Sequence, residues 1–222
     1  MKKFRFFFLV FGFLILVFHT NAQQIQNIRF EQEGKKINIY YDLIGNANEM
    51  YSVNIYYRKD GLSSWGEPLK SVSGDVGEIV IVGNNKHIIW EVLADRDNLI
   101  GKISFKITVE LIIPIALVIG LKDGKISKGN ILLNPFLVTY FKISDNKIPA
   151  DCKITSFSMW YKSDSGKNLY EQSNSQFFTE KMKSIIQELE SGTIIRFENI
   201  KINSPIGPMK IESLYRNIII IN

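Results

Sequence analysis

"FFTEKMKSIIQELESGTIIRFENIKINSPIG", residues 177–207, changes its periodicity once, and that change decides the fold. Phe178, Met182, Ile185, Ile186 and Leu189 recur at the spacing of one helical face, which predicts an amphipathic helix over about residues 179–191. Thr179 can cap its start by accepting from amides of the first turn, and Gly192 stands where a left-handed residue ends a helix at little cost. Ile185 and Leu189 are read as core residues. From Ile194 the period becomes two, with Ile194, Arg196 and Glu198 alternating against Ile195, Phe197 and Asn199, so a strand follows the helix directly. Glu180, Lys181, Lys183, Glu188 and Glu190 form an ordinary solvated helix side, with the "SPIGP" loop at 204–208 as its expected neighbour.

The rest of the chain reads as strands. Upstream lie the runs "IQNIRFEQ", "KINIYYDL", "YSVNIYYRK", "EPLKSV", "GEIVIVG", "KHIIWEVL" and "GKISFKITVEL", separated by turn residues such as Gly34, Gly45-Asn46, Asp60-Gly61 and Gly74-Asp75. Short β-rich runs at this spacing suggest an antiparallel immunoglobulin-like or fibronectin-like sandwich, with Trp90 in its core and Trp65 at a strand edge. "LIIPIALVIG" at 111–120 is too short and too interrupted by Pro114 to span a membrane. It is read as the end of one domain, a proline break, and the first strand of the next. Later come the strand runs "ILLNPFLVTYFK", "CKITSFSMWYK", "TIIRFENIKI" and "KIESLYRNIIIIN". In the second of these, Thr155, Phe157, Met159 and Tyr161 are expected to face inward.

At the N-terminus, Lys2, Lys3 and Arg5 precede an apolar run from Phe6 to Phe18, and Thr20-Asn21-Ala22 offers small residues for a signal peptidase. The expectation is a signal peptide over residues 1–22 with cleavage before Gln23; the alternative is a retained anchor, for which the run is short. Losing those three cations lowers Lys+Arg from 27 to 24 against 22 Asp+Glu. The mature chain is then nearly neutral, which removes the electrostatic footprint of a nucleic-acid binder. A single cysteine, Cys152, allows no internal disulfide and is read as a small buried residue.

Chemistry-bearing motifs are scarce. His87 is the one histidine after the leader and is read as a solvated strand residue, so neither a Cys/His metal cluster nor a Ser-His-Asp triad is expected. Asp95 and Asp97 in "ADRDNLIG" resemble the start of a calcium loop but lack its later ligands, and are read as solvated turn carboxylates. No glycine-rich phosphate loop leads into a helix. Tyr40-Tyr41, Tyr56-Tyr57 and Trp160-Tyr161 are adjacent aromatics, so one ring of each pair points outward. Clustered, such rings would form a contact patch for carbohydrate or protein.

The opening stretch resembles the C-terminal domain of the gliding-motility protein family GldM, also called PorM. The residues that carry the resemblance are an aromatic-Thr helix start, "LESG", "TIIRFENIKI" with Gly192, Phe197, Glu198 and Ile200, and a turn with Pro205 and Gly207. Upstream, "GKISKG" and "CKITSFSMWY" are similar to that domain's opening turn and first long strand. Thr193 and Ile206 depart from its usual acidic residues, and "IESLYRNI" is only loosely like its last strand. The similarity covers about residues 115–222. It implies a contact module of the bacterial envelope, since GldM is a rod of the gliding and type IX secretion machinery whose last domain meets outer-membrane ring components. Its motifs are structural and imply no catalysis.

The sequence is therefore read as mainly β, with two consecutive antiparallel sandwiches, the second carrying one amphipathic helix. The expected layout is a signal peptide at 1–22, an Ig-like or fibronectin-like domain at 23–113 and a GldM C-terminal-like domain at 114–222. The expected function is non-enzymatic protein–protein interaction outside the cytoplasm, periplasmic or at the cell surface. Catalytic, cofactor, metal and disulfide residues are expected to be none. The partners would be envelope proteins, with no nucleic acid and no integral membrane segment after cleavage. The alternative is a secreted carbohydrate-binding or adhesin-like sandwich protein. A hydrolase would need two carboxylates facing each other across a cleft, roughly 5–10 Å apart.

Overall fold

A computed structural model describes residues 24–96, 99–163 and 165–222. The expected signal peptide and its cleavage site lie outside them.

The first half runs β1 (Gln24–Glu33), β2 (Lys36–Ile44), β3 (Met50–Lys59), β4 (Val72–Gly74), β5 (Gly77–Val80), β6 (Gly83–Glu91), a short helix α1 (Val92–Asp95) and β7 (Ile103–Val118). Seven strands thus form near the seven runs. β1 and β2 are joined by a tight hairpin in which Gly34 takes the positive φ, +59°, that the turn requires. One sheet has the order β1-β2-β6-β4, and β3 pairs with β5 and β7 to form the opposing layer. Alternation then fills the space between them. Ile37, Ile39, Tyr41 and Leu43 of β2 and Ile88 and Trp90 of β6 are buried against Tyr51, Val53 and Ile55 of β3. Trp90 is fully buried, with the Tyr57 ring 5.2 Å away. "EPLKSV" is mostly irregular: Pro68 has no amide to give a ladder, and the strand begins only at Val72. Trp65, just before that stretch, lies beneath Arg58 and Lys106 and not in a strand.

Pro114 does not break the chain. β7 continues through it, pairing β3 over Ile103–Ile112 and β9 over Ile112–Val118. β14 joins in parallel at Ile115 and Ala116. Between the last β3 pair and the first β14 pair, residues 113–114 have a partner strand only in β9, so one edge of β7 is open there. A residue without an amide donor is tolerated at such a place.

The second half continues with β8 (Lys125–Ser127), α2 (Lys128–Leu133), β9 (Leu137–Ile143), β10 (Asn146–Pro149), β11 (Lys153–Lys162), β12 (Asn168–Ser173), α3 (Glu180–Glu188), β13 (Ile194–Ser204), β14 (Gly207–Ser213) and β15 (Ile218–Ile221). The long sheet has the order β10-β9-β7-β14-β13-β11-β12, with β15 joining β13 and β8. Among the described residues there are three helices, two of them in this half, where the sequence suggested one. "ILLNPF" opens as part of α2, because the Ser127 hydroxyl accepts the Asn130 amide at 3.2 Å and caps a turn there.

α3 forms where the period places it, with the Thr179 hydroxyl accepting the Met182 amide at 3.2 Å. Its buried residues are Met182 and Ile186, with Phe178 buried just before its start; Ile185, and Leu189 just past its end, both expected as core, are only partly buried. Gly192 has a positive φ of +93°, but the helix already ends at Leu189. The glycine serves the turn into β13, and its amide donates to the Ile220 carbonyl at 2.8 Å. On β13 the inward set begins with Ile195 and Phe197, then shifts by one residue to Ile200 and Ile202. Asn199, at φ +53°, is the extra residue of a bulge, and β11 answers with its own register shift. Ile154, Phe157 and Met159 are therefore buried, whereas Thr155 turns outward and donates to the Lys201 carbonyl at 3.2 Å. Among the described residues no helix is long and apolar enough to cross a membrane.

Candidate protein-contact surface

The residues that might have carried chemistry are occupied with holding the fold. The Asp95 carboxylate accepts the Ser71 hydroxyl at 2.6 Å, the Trp90 indole N–H at 3.0 Å and the amides of Lys70 and Ser71 at 3.2 Å. It is thus no solvated turn carboxylate. Desolvation alone would raise its pKa, but these donors outweigh it and hold the carboxyl below its usual range. Asp97 lies outside the described residues. His87 is half-buried: its Nε2 is 3.0 Å from Asn38 Oδ1, its ring stacks on Tyr40 at 4.7 Å, and its amide donates to Asp75. Cys152 is buried, and desolvation pushes its thiol up. No cluster of three metal-binding side chains occurs among the described residues.

The outward aromatics fall in three separate places. Tyr40 lies on the β1-β2-β6-β4 sheet with Arg29 over its ring. Tyr56 lies on the opposing layer under Lys106. Trp160 belongs to the second half, beside Tyr170. They make no common platform.

Around Trp160 the ladder assembles a broader surface. Register sets Tyr170 of β12 and Arg196 of β13 on either side of Trp160, and Gln172 and Glu198 on either side of Ser158. These two rows share the sheet face opposite the buried set of Phe157, Met159, Ile195 and Phe197, against which Phe178 of the α3 segment packs. Tyr170 is 55% exposed. Its ring lies 4.8 Å from the Trp160 indole at 30°, so the two rings spend facing surfaces on each other. The indole N–H is buried there with no hydrogen-bond partner. Arg196 Nε sits 3.7 Å from Glu198, a distance that leaves its fork largely available. Beyond Glu198 the bulge at Asn199 opens a shallow cavity of about 380 Å³, lined by Lys210, Glu212 and Arg216 among others. Tyr, Trp and Arg together on a fixed scaffold are the residue types that dominate protein contacts.

The helix side is more committed. Lys181 pairs with Glu171, and Lys183 with Glu180 at 2.7 Å. The "SPIGP" segment forms the β13–β14 hairpin turn, at the opposite end of β13 from the point where α3 leads into it. It does not adjoin the helix's polar side. The adjacent Trp160-Tyr161 pair signalled the sheet face in the sequence. Tyr170, Gln172 and Arg196 could not be joined to it without the register.

No curated protein matches the chain. The model of one family, described as the GldM C-terminal domain, matches residues 103–220. That span begins at the first residue of β7, twelve residues before the resemblance noted from motifs, and takes in the whole of the sheet face just described. It covers more than half of the 222 residues, and the chain belongs to the GldM C-terminal domain family.

Proposed function

We propose that the chain is an exported, non-enzymatic protein–protein interaction module of the bacterial envelope, working with a gliding or type IX secretion machine. The observation that carries this reading is the family match across residues 103–220, within which lie the outward-facing rows Tyr170-Trp160-Arg196 and Gln172-Ser158-Glu198, with Tyr170 and Gln172 exposed and Ser158 buried between its neighbours. The partner would be an envelope protein, an outer-membrane ring component first among them, met in the periplasm or at the cell surface. The proposal includes two units, residues 23–113 and 114–222. Two separate hydrophobic clusters support that division, one built mainly on β2, β3 and β6 and the other on β11, β13 and α3. The Ig-like character of the first unit belongs to the same proposal and rests on its two facing antiparallel layers.

The carbohydrate-binding alternative draws no support from the aromatics, because Tyr40, Tyr56 and Trp160 are dispersed and the one close pair is tilted face to face. The test places a photo-crosslinking amino acid at position 170 or 196 in the native host. Adducts to an envelope protein from these positions, and not from Lys35, support the reading. Adducts only from Lys35, or none from any position, refute it.

A further inference from the structure

A second recess shares no residue with that sheet face. It opens where the β1–β2 turn, α1 and the start of β7 meet, with a volume of about 480 Å³, inside the range of about 300–1,000 Å³ usual for small-ligand sites. The apolar part of its lining is Phe30, Ile37, Val92, Leu93, Leu99 and Ile103. Ile37 and Val92 are core residues of the N-terminal sandwich, so the recess reaches the core itself. Phe30, 46% exposed, is braced edge-on against Phe105 at 5.0 Å, and Leu93 is 49% exposed. Two apolar side chains are thus held open to solvent at the mouth of a cavity with one apolar side, an arrangement that loses burial unless something fills it.

The charges around it are unequal. Lys35, Lys102 and Asp60 line the recess. The neighbouring Lys36 is engaged with Glu91 at 2.6 Å, whereas Lys35 and Lys102 form no ion pair among the described residues. The Asp60 amide donates to the Lys102 carbonyl at 3.0 Å, which fixes the backbone on that side. An apolar floor beneath two unspent ammonium groups and one carboxylate is complementary to an apolar chain that ends in one negative charge. We propose that this recess binds a medium-chain carboxylate. Its acyl chain would lie on Phe30, Ile37, Val92, Leu93 and Ile103, with its head group between Lys35 and Lys102.

Calorimetric titration of the chain, purified without detergent, with octanoate, decanoate and 1-decanol tests this. Each methylene buried is worth up to about fourfold in affinity, so decanoate should bind roughly tenfold tighter than octanoate. Decanoate should also bind at least about tenfold tighter than 1-decanol, which has the same chain and no charge to meet the lysines. The double variant Lys35→Glu/Lys102→Glu should abolish that preference and leave 1-decanol binding as it was. Leu93→Glu should weaken all three ligands. Both variants carry exposed substitutions and are checked by thermal melting. Decanoate binding that survives Leu93→Glu would place the ligand elsewhere, on the apolar run at residues 6–18 for instance, and overturn the proposal. So would equal affinity for decanoate and 1-decanol, no binding at millimolar decanoate, or tighter binding of a short apolar peptide with a free C-terminus.

Discussion

The Asp95 carboxylate accepts the indole N–H of Trp90 at 3.0 Å, tying the end of α1 to the largest fully buried side chain of the N-terminal core. It also accepts from Ser71, so one carboxylate joins β6, α1 and the segment before β4. Replacing Asp95 with alanine strands a buried indole donor, which costs about 1–3 kcal/mol. Chemical denaturation followed by tryptophan fluorescence should show the loss. An unchanged midpoint would mean that water replaces the carboxylate.

The same bonds set a pH dependence. Asp95 and Asp75 both have depressed pKa values: burial opposes ionisation in each, and the hydrogen bonds they accept, from Ser71 and Trp90 or from His87 and Lys86, prevail. A carboxyl depressed in the folded state contributes stability that is complete above its unfolded value of about 3.9 and fades as pH falls through the lower folded value. Melting temperature should therefore decline on acidification below about pH 4, and less steeply in Asp95→Asn. Parallel declines in the two proteins would remove Asp95 from the account.

In α3, Ile186 is fully buried and Ile185 only partly so. Ile186→Ala should cost about 2–5 kcal/mol through lost burial and the cavity left behind, and Ile185→Ala distinctly less. Urea denaturation of the two variants gives the order directly. A larger loss at Ile185 would mean that the helix is rotated from the orientation described.

Cys152 is the one thiol of the chain and lies buried beside the Thr139 hydroxyl, which donates to its carbonyl at 2.9 Å. Desolvation raises its pKa, so both access and thiolate content are low. Alkylation should be slow in the native protein and rapid in denaturant, and melting temperatures with and without reductant should agree. Rapid native labelling would show that this edge of the sheet opens.

On the sheet face, Tyr170→Ser and Arg196→Glu should reduce partner recovery from native envelopes while leaving melting nearly unchanged, because both side chains project outward from fixed strands. The double variant Lys181→Glu/Lys183→Glu, on the helix side, should recover the partner normally. Loss confined to the helix-side variant would move the interface to α3.

The elements legible in the sequence were those with local causes. α3 followed from its period and from Thr179, and β2 and β6 from short β-rich runs set between turn residues. α2 was missed because one capping serine, Ser127, starts too short a helix to establish a period. The proline break failed because whether Pro114 interrupts a strand depends on which edge of β7 lacks a neighbour, and no local pattern records that. Asn199 shifted the inward set of β13 for a similar reason: a bulge needs only one extra residue. At the site, Trp160-Tyr161 gave a signal, but Tyr170 and Arg196 joined it only through pairing between distant segments. Asp95 lies 24 residues from its Ser71 partner, so its part in the core was equally hidden.

β7 contributes residues to both hydrophobic cores, Ile107 to one and Ile112, Ala116 and Val118 to the other, with its first ten residues laddered to β3 and its last seven to β9. The two halves are therefore not beads on a slack tether. A pull applied to the face around Tyr170 crosses β11, β13 and β14 before it reaches β7, and along β7 the ladders to β9 and β3 then take it in shear. A chain built in this way behaves mechanically as a stiff coupling, passing on load with little give between the surface that is gripped and the surface that is held.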